Sequence, residues 1–405
     1  MSRACLPALA AWLCLAAPAS AQTVLTLEQT VALARERAGS VAVARARVAE
    51  AEAGLLDPSA RFRDNPLVEA NAGPRMGDAR NTTDIDLALS QQFETGGQRR
   101  ARVAAATAGA DRQRADVADA ARGVIADAVS AFLDALAAIE RVGVADAADA
   151  VSRQLLAATE RRFAAGDVAA IEVNLARIEA ARTAAAVRAA RADRDAIDGR
   201  LRALLRLSAA EPIELRGTLD LPAAPAVEQL AATVEQRPEF AALAAEGREA
   251  EAQAQLGRAL AKPDLGLRLG YARESADTIV LGGLTVTFPA FQRGQGTLAA
   301  GRARAARVGL EREIARESAL LELRTAHVAY TQRLELATAL MRDALPAVID
   351  NESLAQRSYD AGEMSLMDML LIRRDALDTR TAVIDRRLDA ARSRVAVDLA
   401  AGVLR

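Results

Sequence analysis

The stretch LSQQFETGGQRR, Leu89–Arg100, changes character at its middle. Up to Phe93 it continues an alternation in which Ile85, Leu87 and Leu89 are separated by Asp84, Asp86, Ala88 and Ser90. That period of two marks a strand with one apolar and one polar face. From Gln98 the apolar spacing becomes helical, and no proline interrupts it before about Arg162. The change happens again in LTVTFPAFQRGQ, Leu284–Gln295, where Leu284, Val286 and Phe288 alternate with Thr285 and Thr287. One chain therefore makes the same transition twice, through Gly96 and Gly97 in the first copy and Pro289 in the second.

Outward from these stretches the two halves run in the same order. LEQTVALARER from Leu27 returns as VEQLAATVEQR from Val227, and DNPLVEANAG from Asp64 is echoed by AKPDLGLRLGYA from Ala261. RRFAAGDVAAIEVNLARI from Arg161 matches RSYDAGEMSLMDMLLIRR from Arg357, pairing Phe163 with Tyr359, Gly166 with Gly362 and Arg177 with Arg373. Matches in one order read as an internal duplication, with a unit far longer than the roughly 20 to 50 residues of a solenoid repeat. The expected division is a leader at 1–21, a first repeat at 22–208, a linker at 209–226 and a second repeat at 227–405. At the seam, Ser208–Ala226, proline and glycine gather and helical periodicity stops.

Each repeat reads as a helix, two strands and a very long helical stretch with one break. The first has a helix over 27–57, ending at Asp57-Pro58, and strands at 65–72 and 82–93 around the turn GPRMGDARN. The second has strands at 264–272 and 278–288, with Leu265, Leu267, Leu269 and Tyr271 on one face. The helix from Gln98 is long enough to reach ~95 Å. AAGDV turns it around, and a return helix runs to about Leu207. In the second half Leu323, His327, Tyr330, Leu334, Ala337 and Met341 form a stripe, Pro346 marks a kink, and Ile384, Leu388, Ala391, Val395 and Leu399 run back. These stripes pack on other long helices. The fold class is mainly α with a small β part.

Bulk properties exclude several functions. Arg3, the apolar run Cys5–Pro18 and Ala19-Ser20-Ala21 form a secretory leader. Cys14 follows Leu13, where a lipoprotein signal takes a small residue. Both cysteines lie in that leader, so the exported chain carries no disulfide and no thiolate chemistry. No other apolar run reaches the ~18 residues of a membrane helix. The net charge of −2 predicts no nucleic-acid binding. Aromatic residues are 3% of the chain, and the abundance of alanine points to closely packed helices. The single histidine, His327, sits on an apolar stripe and reads as a packed structural residue. GQGTLA, Gly294–Ala299, has the spacing of a dinucleotide fingerprint but lacks the βαβ context, so its glycines serve the bend. No catalytic set, cofactor site or metal cluster is visible.

Four amphipathic strands do not close a barrel, and an open edge in hydrocarbon is prohibitively costly. The smallest membrane barrels have about eight strands. Either the strands form a small soluble sheet, or two, three or four copies pool them and gather the long helices into a ring.

The leader, the duplicated helix–strand–strand–helix unit and the AGD and AGE turns resemble the outer membrane factor family, the TolC-like ducts of tripartite efflux systems. NPLVEANAG, LSQQFETGGQRRARVAAA and FPAFQRGQG are most similar to its CzcC-like heavy-metal branch. The resemblance implies a homotrimer in the outer membrane of a Gram-negative bacterium. Its twelve strands would share one barrel, above a periplasmic tube of twelve packed helices. It also implies a passive exit duct, with a periplasmic adaptor (membrane fusion) protein, an inner-membrane RND pump and outer-membrane lipid as partners, and heavy-metal cations as cargo. A drug, dye or type I secretion duct of the same fold stays open, as does a periplasmic coiled-coil scaffold.

In that family the helix-reversal turns form the periplasmic mouth and meet the adaptor. Gly166 and Gly362 take the left-handed conformation there, and Asp167 and Glu363 fall near the starts of the returning helices. Glu172 and Asp368 match acids near the constriction, one to two turns into those helices, and Tyr359 matches an aromatic that bonds across neighbouring helices. A second inner acid expected after Asp368 is Leu371 here, so the constriction carries less charge or draws on Asp360 and Glu363. Asp84 and Asp86, on the polar strand face, would look into the barrel lumen.

Overall fold

The computed structural model describes residues 23–76, 82–209, 211–220 and 222–404. The expected leader, including Cys14, lies outside the described residues. β1 (Thr23–Leu25) leads into α1 (Leu27–Arg37) through a capping box. The Gln29 N–H donates to the Thr26 hydroxyl (3.3 Å), and the Thr26 N–H donates to the Gln29 side-chain oxygen (2.8 Å). The helix expected over 27–57 is in fact broken. Ala38 is extended (φ −57°, ψ 139°), α2 (Gly39–Ala53) restarts after it, and α3 (Leu56–Ser59) is a single short turn that accommodates Pro58. The break is stable because the Arg45 guanidinium donates to the Glu36 and Arg35 carbonyls, which the end of α1 leaves without helical donors.

β2 (Leu67–Arg75), β3 (Thr82–Glu94), β5 (Asp264–Glu274) and β6 (Asp277–Thr287) form one antiparallel sheet in the order β2-β3-β5-β6. β2 runs on through Gly73, Pro74 and Arg75, residues expected in the turn. It is an edge strand, where a proline need not interrupt the ladder. Residues directly opposite one another share a face. The register Val68↔Leu89↔Leu269 and Leu87↔Tyr271↔Val280 therefore gathers these side chains with Ile85, Leu265, Leu267, Leu284 and Val286 on one side. The other side holds Asp84, Asp86, Glu69, Arg75, Arg268 and Glu274, with Leu67, Ile279 and Leu281 as its apolar members. Ion pairs join this polar face: Arg75 to Asp84 and to Glu274 (both 2.7 Å), and Arg268 to Glu69 (2.8 Å). Among the described residues this apolar face is left largely open: Val280 and Leu284 are both 75% exposed.

The rest is helical. α4 (Gln98–Ala164) has 67 residues and spans about 100 Å. α5 (Ala170–Leu205) returns along it and stops at Arg206, whose φ is +52°. The expected linker contains β4 (Ile213–Leu215), which pairs in parallel with β1. There follow α6 (Val227–Ala231), a 3₁₀ turn (Val234–Gln236), α7 (Pro238–Ala259), α8 (Gln295–Ala339), a π-helical turn (Leu340–Ala344), α9 (Leu345–Asp360) and α10 (Leu366–Ala400). Pro346 sits in the first turn of α9, just after the π turn that offsets the helix. Among the described residues no helix is long and apolar enough to cross a membrane.

The largest core surrounds the middle of α4, where Ala128, Ala131, Ala135 and Ala137 are buried with Val129, Phe132 and Leu133 against α1, α5 and α10. A helix enclosed on nearly every side needs small residues for its neighbours to approach, and this is where the alanine content is used. Asp134, buried in the same segment, accepts from Arg392 of α10 (2.6 Å). A second core joins Phe240, Leu323, Tyr330 and Val397. The tips of the stripe residues reach the linker: His327 Nε2 donates to the Pro225 carbonyl (3.1 Å) and the Tyr330 hydroxyl to Pro222 (3.3 Å).

α7 and α8 are almost in backbone contact. A Cβ at Gly294 would lie 2.4 Å from the Gly257 carbonyl oxygen, and Gly294 has φ +67°. Gly294→Val should therefore cost about 3 kcal/mol or more, and thermal unfolding by circular dichroism reads this as a lowered transition. Gly296→Ala, with open space at its Cβ, should unfold like the parent.

Candidate functional site at the helix-reversal tips

The two reversal turns are built alike. After α4 the Gly166 N–H donates to the Phe163 carbonyl and the Asp167 N–H to the Arg162 carbonyl (both 2.9 Å), with Gly166 at φ +85°. After α9 the Gly362 N–H donates to Tyr359 (3.0 Å) and the Glu363 N–H to Ser358 (2.9 Å), with Gly362 at φ +77°. This is a Schellman closure, which requires a left-handed residue where a side chain would be strained. Asp167 and Glu363 belong to the ends of the outgoing helices. They do not start the returning ones, whose N-caps are Ala169 and Ser365.

Glu172 and Asp368 both lie in the first turn of their helices, closer to the tip than the one to two turns expected. Their settings differ. The Ser365 hydroxyl accepts from the Asp368 N–H (3.2 Å) and donates to Asp368 Oδ2 (2.7 Å), holding that carboxylate against its own helix start. α5 has alanine at the cap, with no side-chain bond.

Glu172 and Tyr359 line one hollow of about 290 Å³ with Arg162, Leu175, Met364, Ser365 and Met367. Tyr359 is 6% exposed and packs with Leu155, Ala355, Leu366 and Met369. The Arg162 guanidinium lies 5.5 Å from its ring centroid, a cation–π distance. The Tyr359 hydroxyl is buried without a hydrogen-bond partner among the described residues. Asp368 and Asp360 do not line this hollow. Asp360 accepts from Gln356 Nε2 (2.8 Å), and the same Gln356 accepts from Arg373 through Oε1. Burial pushes the Arg373 guanidinium below its usual range, against the pull of Glu352, Asp360 and Glu179. The matching Arg177 instead meets a carboxylate, Glu160, at 3.1 Å.

The strand-to-helix junctions sit at the other end of α4 and α8. Gly97 (φ +84°) and Gly294 (φ +67°) are the N-caps of these helices. Gln98 is buried and donates to the Lys262 carbonyl (3.1 Å) and to Asp264 (2.9 Å). Gln98, Lys262 and Asp264 share a hollow with Phe288, Pro289 and Gly294, so both junctions lie at one level. Pro289 begins the second bend, and Gly294 makes its left-handed step. Gly294 was missed as the counterpart of Gly97, although the shared Gly97-Gln98 and Gly294-Gln295 dipeptides mark it. The cap Ser365 was equally readable in the S-x-x-D spacing of Ser365 and Asp368. Among the described residues no group of three His, Cys, Asp or Glu is placed to hold a metal ion.

Removing the Ser365 cap tests this local reading. Ser365→Ala should cost the start of α10 about 1 kcal/mol, seen as faster amide hydrogen exchange at Met367–Met369. Exchange at the start of α5, which has no such cap, should not change.

The similarities of the chain agree with this architecture. Residues 30–205 match the family model for outer membrane efflux proteins. The cobalt-zinc-cadmium resistance protein CzcC of Cupriavidus metallidurans is 28% identical over 367 residues, 90% of this chain and 86% of that protein. A membrane protein from Pseudomonas aeruginosa superposes with a TM-score of 0.75 at 19% identity, covering 93% of this chain and 90% of that one. The channel protein CusC superposes with a TM-score of 0.72 at 16% identity, covering 93% and 92%. By the match of residues 30–205 and the relationship to CzcC over most of both chains, the chain is similar to outer membrane efflux proteins, and its fold is that of their solved channels.

Proposed function

We propose that this chain is the exit duct of a tripartite efflux system, working as a homotrimer and passing heavy-metal cations to the exterior. The carrying observation is the sheet: among the described residues its apolar face lies open, and β2 and β6 are unpaired edges. In hydrocarbon those edges must be paired by other copies. Three copies would close twelve strands, and the same assembly would join the long helices into a tube below them. The metal cargo rests on the relationship to CzcC over most of both chains. A periplasmic adaptor and an inner-membrane RND pump would select the cargo and supply the energy.

Within this reading the exposed turns at Gly166, Asp167, Gly362 and Glu363 meet the adaptor, and Glu172, Tyr359, Asp360 and Asp368 form the gate. Three copies of Asp368 would make a ring that favours cations, with the exposed Leu371 where a second acid would deepen it. The alike turns at Gly166 and Gly362 and alike junctions at Gly97 and Gly294 support duplicated units at 22–208 and 227–405, joined by 209–226.

Three experiments test the proposal. The unheated protein in detergent should migrate and cross-link as a trimer and fall to a single chain on boiling; a detergent-independent monomer would sink the duct. Deleting the gene should sensitise the cell to cobalt, zinc and cadmium, and sensitivity confined to drugs or dyes would overturn the metal cargo. In planar bilayers Asp368→Asn should lower cation preference, and unchanged single-channel behaviour would remove Asp368 from the gate.

A further inference from the structure

Three of the six methionines of the chain fall within the six residues Met364–Met369. The fold does not ask for sulfur there. At the same distances from the other turn glycine, Gly166, stand Val168, Ile171 and Val173. Met369, fully buried, fills the tip core as its aliphatic counterpart does. Met364 and Met367 are different: both line the tip hollow with Glu172 and Tyr359, and Met367 is 56% exposed.

We propose that this hollow is a thioether site for a soft monovalent cation, Cu(I) or Ag(I). The proposal rests on the metal-efflux reading for its use in the cell, and adds a cargo class to it. Thioether sulfur is a soft, neutral donor that selects Cu(I) over hard cations. Two sulfurs leave the ion's charge uncompensated, and the Glu172 carboxylate of the same hollow supplies the counter-charge. Arg162 opposes a cation, but its guanidinium is held over the Tyr359 ring. The buried Tyr359 hydroxyl, without a partner among the described residues, is a further oxygen. Zn(II) and Co(II) find here one carboxylate and no imidazole, a poor set for either. The hollow lies beside the exposed turns, where an ion can enter and leave without unfolding the helices. That suits passage better than storage.

The test is a calorimetric titration of the purified full-length protein in detergent with Ag(I), free of halide and thiol. One Ag(I) per chain is expected, and Met364→Leu with Met367→Leu should weaken binding by about tenfold or more. Leucine matches the aliphatics of the other turn, so the double variant should keep the parent's helical circular dichroism. Methyl NMR should move Met364 and Met367 on adding Ag(I) and leave Met76 in place. Absence of binding, equal binding by the double variant, or displacement by equimolar Zn(II) would each overturn the site. Those results would leave the cobalt, zinc and cadmium phenotype of the deletion strain untouched. Conversely, a deletion strain with no metal phenotype would sink the export reading and not the measured site.

Discussion

A sheet that ends in unpaired backbone is the constraint from which the other features follow. Among the described residues, β2 and β6 each present a row of N–H and C=O groups without a partner strand, beside an apolar face left largely open. Water tolerates such edges at a risk of aggregation; hydrocarbon does not tolerate them. The four strands make sense as a fraction of a closed structure. The ion pairs of Arg75, Asp84 and Glu274 lie on the opposite face, where charged groups keep access to water.

The second demand is geometric. A strand must become a helix within a few residues at the edge of the sheet, and both copies meet it with a left-handed glycine followed by glutamine. Gln98 then bonds across to Lys262 and Asp264, so the first junction is tied to the entry of the second strand pair. At the second junction Gly257, Gly294 and Gly301 let α7 and α8 approach to backbone distance. The middle of α4 uses alanine to the same end. Close helix packing here comes from absent side chains more than from large ones, which is how a chain with so few aromatic residues holds such long helices together.

Those parts of the fold with a strict period were legible in the sequence. Alternation at Ile85, Leu87 and Leu89 gave the faces of the sheet, and long stretches without proline gave the helices. What escaped depends on contacts distant in sequence. Nothing local at Ala38 announces the break between α1 and α2, because the Arg45 bonds that stabilise it come from the next helix. The pairing of β1 with β4 joins two three-residue segments, too short for a pattern. At the tips the glycines were readable. The hydrogen bonds of Asp167 and Glu363 were not readable, because a Schellman closure uses their backbone N–H groups and leaves no mark on their side chains. Strand β2 passed through Pro74 because only the sheet order shows that it is an edge.

The two long hairpins share a plan and differ in continuity. α4 runs 67 residues with an unbroken ladder of hydrogen bonds. Its counterpart is divided by the π turn at Leu340–Ala344, with Pro346 adding a missing donor one turn later. Nearer the tip, Arg177 has a direct carboxylate partner, whereas Arg373 reaches Asp360 only through the neutral Gln356. The hollow lined by Met364, Met367 and Glu172 draws on both hairpins. Its shape therefore depends on how the two hairpins sit against each other.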